Sequence, residues 1–291
     1  MTPQNREVFL AEEETSLSKR LREGFERKLL EAAMSNLRST HNPLRFNNFA
    51  YAIRELVRNV MQRLAPDDEV RRCSWYRDET DKPGAVSRRQ RLYFAVQGGL
   101  TDDYVQRTLQ VDIAETHRAL RDAIDRLSKY THINEDAFEL SETEVGLYAG
   151  ETISAVLDLF AVIDECRSEL VESLVEELDR SVLDAALNET ILSIDELATH
   201  HTLDEVYVED VTVTRIDSTH VYFSASGTVD CSLQWGSNSD VRNGDGAEMS
   251  TSFPFVCEMQ SPVDQPSDVE ADQESFCVDT SSWREDWTDD E

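Results

Sequence analysis

The stretch DAIDRLSKYTHINED, residues 122–136, contains the two residue types that metal-independent RNA cleavage needs. In such a reaction the 2′-OH attacks the adjacent phosphate, an imidazole moves the proton, and a guanidinium neutralises charge growing on the phosphoryl oxygens. Arg126 and His132 could take these roles, and because DNA lacks the 2′-OH, the mechanism implies RNA. The alternative is that Arg126 pairs with Asp122 or Asp125 on a helix surface while His132 caps the last carbonyl groups of that helix.

The six-residue spacing limits how Arg126 and His132 could act together. On one continuous helix, six steps of about 100° place two side chains roughly 120° apart, so they would not share a face. Either the helix ends before His132, or two chains supply the site. A helix end is plausible because Thr131 is β-branched and Asn134 and Asp136 open a loop-like run.

A second group of residues is typical of a nucleic-acid surface. Arg88, Arg89 and Arg91 lie in a predicted connector, residues 71–97, that also contains four aromatic residues, Trp75, Tyr76, Tyr93 and Phe94. Guanidinium groups contact phosphates and aromatic rings stack on bases, so we predict that these arginines bind nucleic acid. The alternative is a loop that its aromatic residues pack onto the helices.

Other catalytic chemistry finds little support in the sequence. The chain has no GxGxxG, P-loop, GxSxG or HExxH spacing, and its five scattered cysteines indicate neither a zinc site nor a disulfide framework. Adjacent His200 and His201 are typical of a polar helix end. We therefore predict no metal site and no cofactor. An alternative is a Mg²⁺-dependent nuclease built on C-terminal carboxylates, although Lys129 is the last lysine; the candidates are Asp230, Asp240, Asp245 and Glu248.

Charge divides the chain into two parts. The formal net charge is −31, yet residues 1–132 hold 23 of the 28 Lys and Arg against 20 of the 59 Asp and Glu, a balance of +3, which leaves −34 for the remainder. Acidity with few lysines is typical of a cytosolic protein from a salt-tolerant organism, in which an acidic surface serves solubility. The first part escapes this acidity, as a surface that approaches phosphate would.

Hydrophobic periodicity predicts helices first and strands afterwards. Apolar residues at helical spacing indicate helices over residues 12–37, 46–64, 101–130 and 150–197. From residue 205 the period changes to alternation, with Gly227 as a bulge and Pro254 disfavouring a central strand position. We predict an α+β fold with a helical domain at 1–140, a helix plus antiparallel β module at 141–260, and an acidic disordered tail at 261–291.

The chain resembles a known group of proteins in several of these stretches. Arg126-x5-His132 resembles the Arg-x4-6-His signature of HEPN nucleases, all-helical RNA-cleaving and RNA-binding domains. RFNNFAYAIRELVRNVMQRLAPDDEVRRCSWY, LSKYTHIN and GTVDCSLQWGSNSDVRNGDGAEMSTSFPF are similar to bacterial predicted pPIWI-associating nucleases. The resemblance implies a HEPN-like helical bundle, a role in prokaryotic defence and paired motifs across a homodimer. HEPN enzymes often carry a small polar residue after the arginine, where this chain has Leu127.

These observations lead to one functional hypothesis and two alternatives. We predict a cytoplasmic, metal-independent endoribonuclease of a prokaryotic defence system, with RNA as substrate, a homodimeric state and a possible defence-system partner protein. No apolar run approaches the length of a membrane span, and the N-terminus lacks a signal-like core, so we expect no membrane association. The alternatives are a non-catalytic adaptor of the same systems and the Mg²⁺-dependent nuclease.

Overall fold

The computed structural model describes residues 3–131, 140–188 and 191–285, which divide into two compact units, Met1–Cys166 and Arg167–Glu291. Helices fill the N-terminal part and an antiparallel sheet follows them, so the predicted α+β class is confirmed. The first unit contains α1 (Pro3–Arg20), α2 (Phe25–Arg38), α3 (Arg45–Leu64), α4 (Asp67–Arg72), α5 (Arg88–Gln97), α6 (Asp102–Arg107), α7 (Ile113–Thr131) and most of α8 (Glu142–Ser173).

The core of the first unit forms around α3. Its apolar residues recur every three or four positions and are almost fully buried, as at Phe49, Ile53 and Leu56. At one end, the ring of Phe46 meets Tyr130 of α7 edge to face at 5.0 Å between centroids. Tyr130 in turn stacks on Tyr148 of α8 at 5.8 Å. Three helices that are distant in sequence are therefore joined by one aromatic group.

The division between the units falls inside α8, whereas the sequence predicted a domain boundary at residue 140. The first part of α8 belongs to the helical unit because its side chains are bound there. Glu142 pairs with the buried Arg45, Asp164 pairs with Arg20 of α1, and the Ser154 hydroxyl donates to Glu13 of α1. These contacts extend the first unit to Cys166.

Three segments of the first unit differ from the predicted helices. The helix predicted at 12–37 is two helices, since Gly24 between them has φ +90°, a conformation that ends helices. The helix predicted at 101–130 is also two, because Gln110 has φ +58°. The predicted connector contains α5, which begins at a capping box in which Ser87 and Gln90 satisfy each other's backbone N–H groups.

A buried ion pair joins α2 to α3. Arg63 donates to both carboxylate oxygens of Glu26, at 2.7 and 3.0 Å, and the backbone N–H of Arg22 donates to the same carboxylate at 2.9 Å. Burial raises the pKa of Glu26, but these hydrogen bonds and the charge of Arg63 outweigh it, so the pKa lies below its ordinary value. The carboxylate therefore stabilises the fold at neutral pH.

Replacing Glu26 with glutamine is expected to lower the free energy of unfolding by about 3 kcal/mol at pH 7, because Arg63 loses its partner in a buried place. The folded pKa of Glu26 is depressed, so its contribution is present above the unfolded pKa of about 4.3 and is lost as pH falls through the folded pKa. Thermal denaturation at pH 7 and in mild acid measures both effects. Glu23→Gln, which removes an exposed pair with Arg27, is the control and should change stability by less than about 1 kcal/mol; equal losses in both variants would contradict the prediction.

Helix α8 is long and apolar enough to cross a membrane, judged by length and composition. The sequence predicts no apolar run of that length, and α8 shows that this prediction is wrong. Half of its apolar stretch is buried inside the protein. Length and composition are weak evidence for a span here, because the core helix of a soluble protein has the same properties.

The second unit pairs short helices with a four-stranded sheet. The described helices are the end of α8, α9 (Val175–Asn188), α10 (Leu192–Asp195), α11 (Asn238–Asn243) and α12 (Ser281–Glu285), and the strands are β1 (His200–Ile216), β2 (His220–Trp235), β3 (Ala247–Pro262) and β4 (Glu270–Val278). The strands are antiparallel in the order β1-β2-β3-β4, which confirms the predicted meander. Alternate residues of β2 and β3, such as Phe223 and Phe255, form the buried face.

The C-terminal segment is structured, in contrast to the disordered tail predicted at 261–291. β4 and α12 occupy much of it, and only residues 286–291 lie outside the described part. Phe276 of β4 stacks on Phe255 of β3 at 4.7 Å between ring centroids. An apolar side chain therefore attaches this acidic segment to the sheet. Pro254 lies in β3, which has β2 on one side and β4 on the other. The pairing of β3 with β4 covers only Phe255 to Gln260 and therefore begins just after the proline.

Candidate nucleic-acid interface

A groove in the first unit runs between α3, α5 and α7. Its cavity volume is about 580 Å³. Apolar side chains form part of its lining, and the contributing residues are Val57, Met61, Leu92, Leu120 and Ile124. Arginines line the same groove, so apolar and positively charged side chains lie together in one cavity.

Five arginines line this groove, two from α3, two from α5 and one from α7. They are Arg54, Arg58, Arg88, Arg91 and Arg121, and together with the cavity we call them the arginine groove. Helical spacing explains the arrangement: Arg54 and Arg58 are four residues apart, and Arg88 and Arg91 three. Among the residues that the structure describes, two carboxylates, Glu55 and Asp125, line the same cavity.

Four of the five arginines have a carboxylate partner: Arg91 pairs with Asp67 and Arg121 lies 3.2 Å from Asp122, in addition to the two pairs that follow. Glu55 accepts from Arg58 at 2.9 Å, and Asp125 lies 3.9 Å from Arg88, at the limit of an ion pair. Arg54 has no ion pair with the described residues, and its guanidinium lies 3.4 Å from the hydroxyl of Thr131. The five arginines thus exceed the four carboxylates by one positive charge, on a chain whose net charge is −31.

The structure separates the three arginines that the sequence grouped as nucleic-acid-binding. Arg88 is an exposed rim residue of the groove. Arg91 also lines the groove, but it donates to the carbonyl of Ala65 at 3.0 Å and pairs with Asp67, so it also holds the end of α3. Arg89 is not among the groove residues; it pairs with Glu79.

The neighbouring aromatic residues mostly serve packing. Trp75 and Tyr76 pack on a small core that contains Phe94, and the Trp75 indole donates to the carbonyl of Gly98 at 3.1 Å. Tyr93 lies under the guanidinium of Arg89 at 5.0 Å and faces the ring of His117 edge to face at 6.5 Å. The alternative reading, a segment packed onto the helices, therefore accounts for three of the four aromatic residues.

Arg126 lies away from the arginine groove. It pairs with Glu151 of α8, and its guanidinium lies over the ring of Tyr148 at 5.6 Å. It pairs with neither Asp122 nor Asp125. His132 lies outside the described residues, so the predicted catalytic pair stays a prediction; α7 itself is helical through Thr131.

His117 is a groove residue that the sequence reading missed. It lies on α7 one turn before Arg121, and its imidazole makes no hydrogen bond to the described part of the chain. Burial lowers its pKa, and the charges of Arg121 and Arg89 lower it further. The four-residue spacing of His117 and Arg121, like that of Arg54 and Arg58, was the available sequence signal.

The carboxylates of the second unit do not gather into a metal site. Asp230 accepts from Ser252, while Asp240 belongs to the capping box of α11 with Ser237. His201 lies 3.1 Å from Asp195. Within residues 3–131, 140–188 and 191–285, no group of three or more His, Cys, Asp or Glu could hold a metal ion.

Two family models match the chain, and both are described as a predicted pPIWI-associating nuclease. One matches residues 18–156 and the other residues 163–284. Each match thus lies almost entirely within one of the two units. The resemblance to these nucleases is confirmed, whereas neither description names a HEPN domain.

The nuclease-domain matches agree with the structural division. The second match begins at residue 163, close to the boundary after Cys166, and it extends through β4 into α12. All residues of the arginine groove fall within the first match. No curated protein and no solved structure is significantly similar to the chain.

Proposed function

We propose that this protein is an endoribonuclease that binds the phosphodiester backbone of RNA in the arginine groove and cleaves it without a metal ion. The main observation in support is that five guanidinium groups line one cavity of a strongly acidic chain. The nuclease description of both family models supports the same activity. The pPIWI part of that description supports a pPIWI protein of a prokaryotic defence system as a partner.

Electrostatics explains why the arginines must be grouped. A chain with a net charge of −31 repels nucleic acid at long range, and salt screens that repulsion beyond roughly 8–10 Å. Within that distance the local charge of the groove determines the interaction. Guanidinium groups bind phosphate oxygens through charge-assisted hydrogen bonds, and the apolar part of the groove suits the face of a base.

Cleavage in EDTA tests the proposal. Wild-type protein is incubated with labelled single-stranded RNA and with DNA of the same sequence, at low and high salt. We expect cleavage of RNA alone, because the mechanism needs the 2′-OH. Intact RNA both without metal and with Mg²⁺ would overturn the proposal in favour of the adaptor, and cleavage of both substrates that requires Mg²⁺ would favour the carboxylates of the second unit.

The Arg-x5-His hypothesis for the cutting residues is tested in the same assay. If Arg126 and His132 act on the phosphate, as the HEPN resemblance implies, then Arg126→Ala and His132→Ala should each reduce RNA cleavage by about a hundredfold. Arg118→Ala removes an exposed arginine from the same helix and should leave cleavage unchanged. Wild-type rates in the Arg126 and His132 variants would contradict the hypothesis and would leave Arg126 with a structural role, in its ion pair with Glu151.

The proposed homodimer is tested by the mass of the protein in solution. The resemblance implies that two chains bring their motifs together, so we propose that the active species is a dimer. Light scattering during size-exclusion chromatography should give about twice the chain mass of 33.2 kDa. A monomer that cleaves RNA would overturn this part of the proposal.

A further inference from the structure

We infer that His117 is the residue that transfers the proton during RNA cleavage in the arginine groove. This inference rests on the proposed function, and it assigns proton transfer to a residue outside the Arg-x5-His spacing. Thr131, which precedes His132, is fourteen residues after His117, about 21 Å along α7 at 1.5 Å per residue. His117 and the Arg-x5-His pair are therefore alternative assignments of proton transfer, and variants of each distinguish them.

His117 lies in the cavity to which the proposed function assigns the RNA phosphate. The residue lines the same cavity as Arg58, Arg88 and Arg121, so a phosphate held by these guanidinium groups would lie beside the imidazole. The imidazole is half-buried and makes no hydrogen bond to the described residues. Its lone pair is thus available to a ligand.

The surroundings of His117 favour the neutral imidazole. Burial lowers its pKa first, and the positive charges of Arg121 and Arg89 add to this, while Glu79 acts weakly in the opposite direction. A neutral imidazole can accept a proton at physiological pH. Charged and titratable groups from four elements surround His117. They are Arg121 and Asp125 of α7; Arg88, Arg89, Arg91 and Tyr93 of α5; Arg54, Glu55 and Arg58 of α3; and Glu79 of the segment before α5.

The reaction can be written with His117 as the base. Its unprotonated ring nitrogen takes the proton of the 2′-OH, the 2′-oxygen forms a bond to phosphorus, and the bond from phosphorus to the 5′-oxygen breaks. The leaving 5′-oxygen takes a proton from water, and the resulting hydroxide takes the proton back from the imidazolium. The products are a 2′,3′-cyclic phosphate and a 5′-OH, with no oxidation or reduction. Arg58 and Arg121 stabilise the charge that develops on the phosphoryl oxygens.

Variants of His117 separate proton transfer from binding. His117→Ala is expected to lower single-turnover RNA cleavage in EDTA by about a hundredfold or more, with a change in RNA dissociation constant of less than about threefold. His117→Gln, which keeps most of the side-chain volume, should be equally slow. Free imidazole in the buffer should restore part of the activity of His117→Ala only, because that variant has room for it.

The pH profile gives a readout that a merely structural role would not change. A base must be neutral to act, so wild-type cleavage should decline as pH falls through the pKa of His117, which is below its ordinary value of about 6.5. That decline should disappear from the residual activity of His117→Ala. His41→Ala, which removes an exposed histidine at a turn of the same unit, should keep the wild-type rate and profile.

The possible failures can be told apart. If wild-type protein does not cleave RNA in EDTA, the proposed function fails and this inference fails with it. If wild-type protein cleaves RNA and His117→Ala and His117→Gln cleave at the same rate, only the inference fails. A loss of RNA binding as large as the loss of cleavage would also overturn it, because His117 would then act in binding alone.

Discussion

Replacing Arg58 and Arg121 with glutamate is expected to weaken binding of single-stranded RNA by a hundredfold or more at about 0.1 M salt. Both residues line the arginine groove on opposite helices, and their side chains are 61% and 53% exposed, so the changes should leave the fold intact. The five arginines of the groove have four carboxylates beside them, Glu55, Asp67, Asp122 and Asp125, and the double variant changes this to three arginines against six carboxylates. A phosphate that was attracted is then repelled.

Salt dependence provides an independent measure of the same effect. Each phosphate contact to single-stranded nucleic acid contributes about 0.7 to the slope of log K against log salt. Loss of two contacts should therefore reduce the magnitude of the slope by about 1.4. Fluorescence anisotropy of labelled RNA over a salt series gives both the affinity and the slope.

A matched double variant controls for net charge. Arg38→Glu with Arg107→Glu changes the charge of the chain by the same amount, and these arginines are exposed and not among the groove residues. Its affinity for RNA should fall by less than tenfold, as expected for screened charges on a surface. If the two double variants weakened RNA binding equally, RNA would respond only to the overall charge of the protein, and the groove would not be the binding site.

Replacing Gly227 with alanine is expected to lower the stability of the second unit by about 4 kcal/mol. A β-carbon at this position would lie 1.9 Å from the carbonyl oxygen of Tyr207, far inside van der Waals contact. The obstacle is the backbone of the neighbouring strand, which cannot rotate aside as a side chain can. Val208 pairs with Gly227, and the next residue of β1, Glu209, is an extra one in the ladder, so the strands approach closely at this place.

Hydrogen exchange resolves where the effect of Gly227→Ala acts. Amides of β1 and β2 should lose protection, whereas those of α2 and α3 in the first unit should keep it, because the two units have separate cores. Ser226→Ala, one residue earlier in β2, is the control and should change protection little. Unchanged protection of β1 and β2 in Gly227→Ala would contradict the close approach of these strands.

The sequence alone determined much of the fold, because the signals involved are local. The apolar spacing of α3 predicted a helix almost to the residue, and alternation predicted the strands of the meander. Gly227 was predicted as a bulge, while the extra residue is Glu209 on the partner strand. Local patterns also predicted helices that were too long, because they do not show that the chain adopts a positive φ at Gly24 and Gln110.

The candidate site was predictable only in part. Arg88 was singled out because it lies in a run of arginines, and it does line the groove. Arg89 lies in the same run but points to Glu79, since neighbouring residues of a helix face different directions. Arg126 found its partner in Glu151, twenty-five residues later, where a local reading offered only Asp122 and Asp125.

What the sequence by itself determined about this protein is the order of helices and strands, the concentration of basic residues in the first part and the resemblance to a nuclease family. Only the tertiary structure decided that Arg58, Arg88 and His117 face one cavity. They come from three helices, and their separation along the chain carries no information on distance in space. The physical reason is that periodicity fixes which face of a helix is apolar, whereas the packing of those apolar faces determines which polar faces meet.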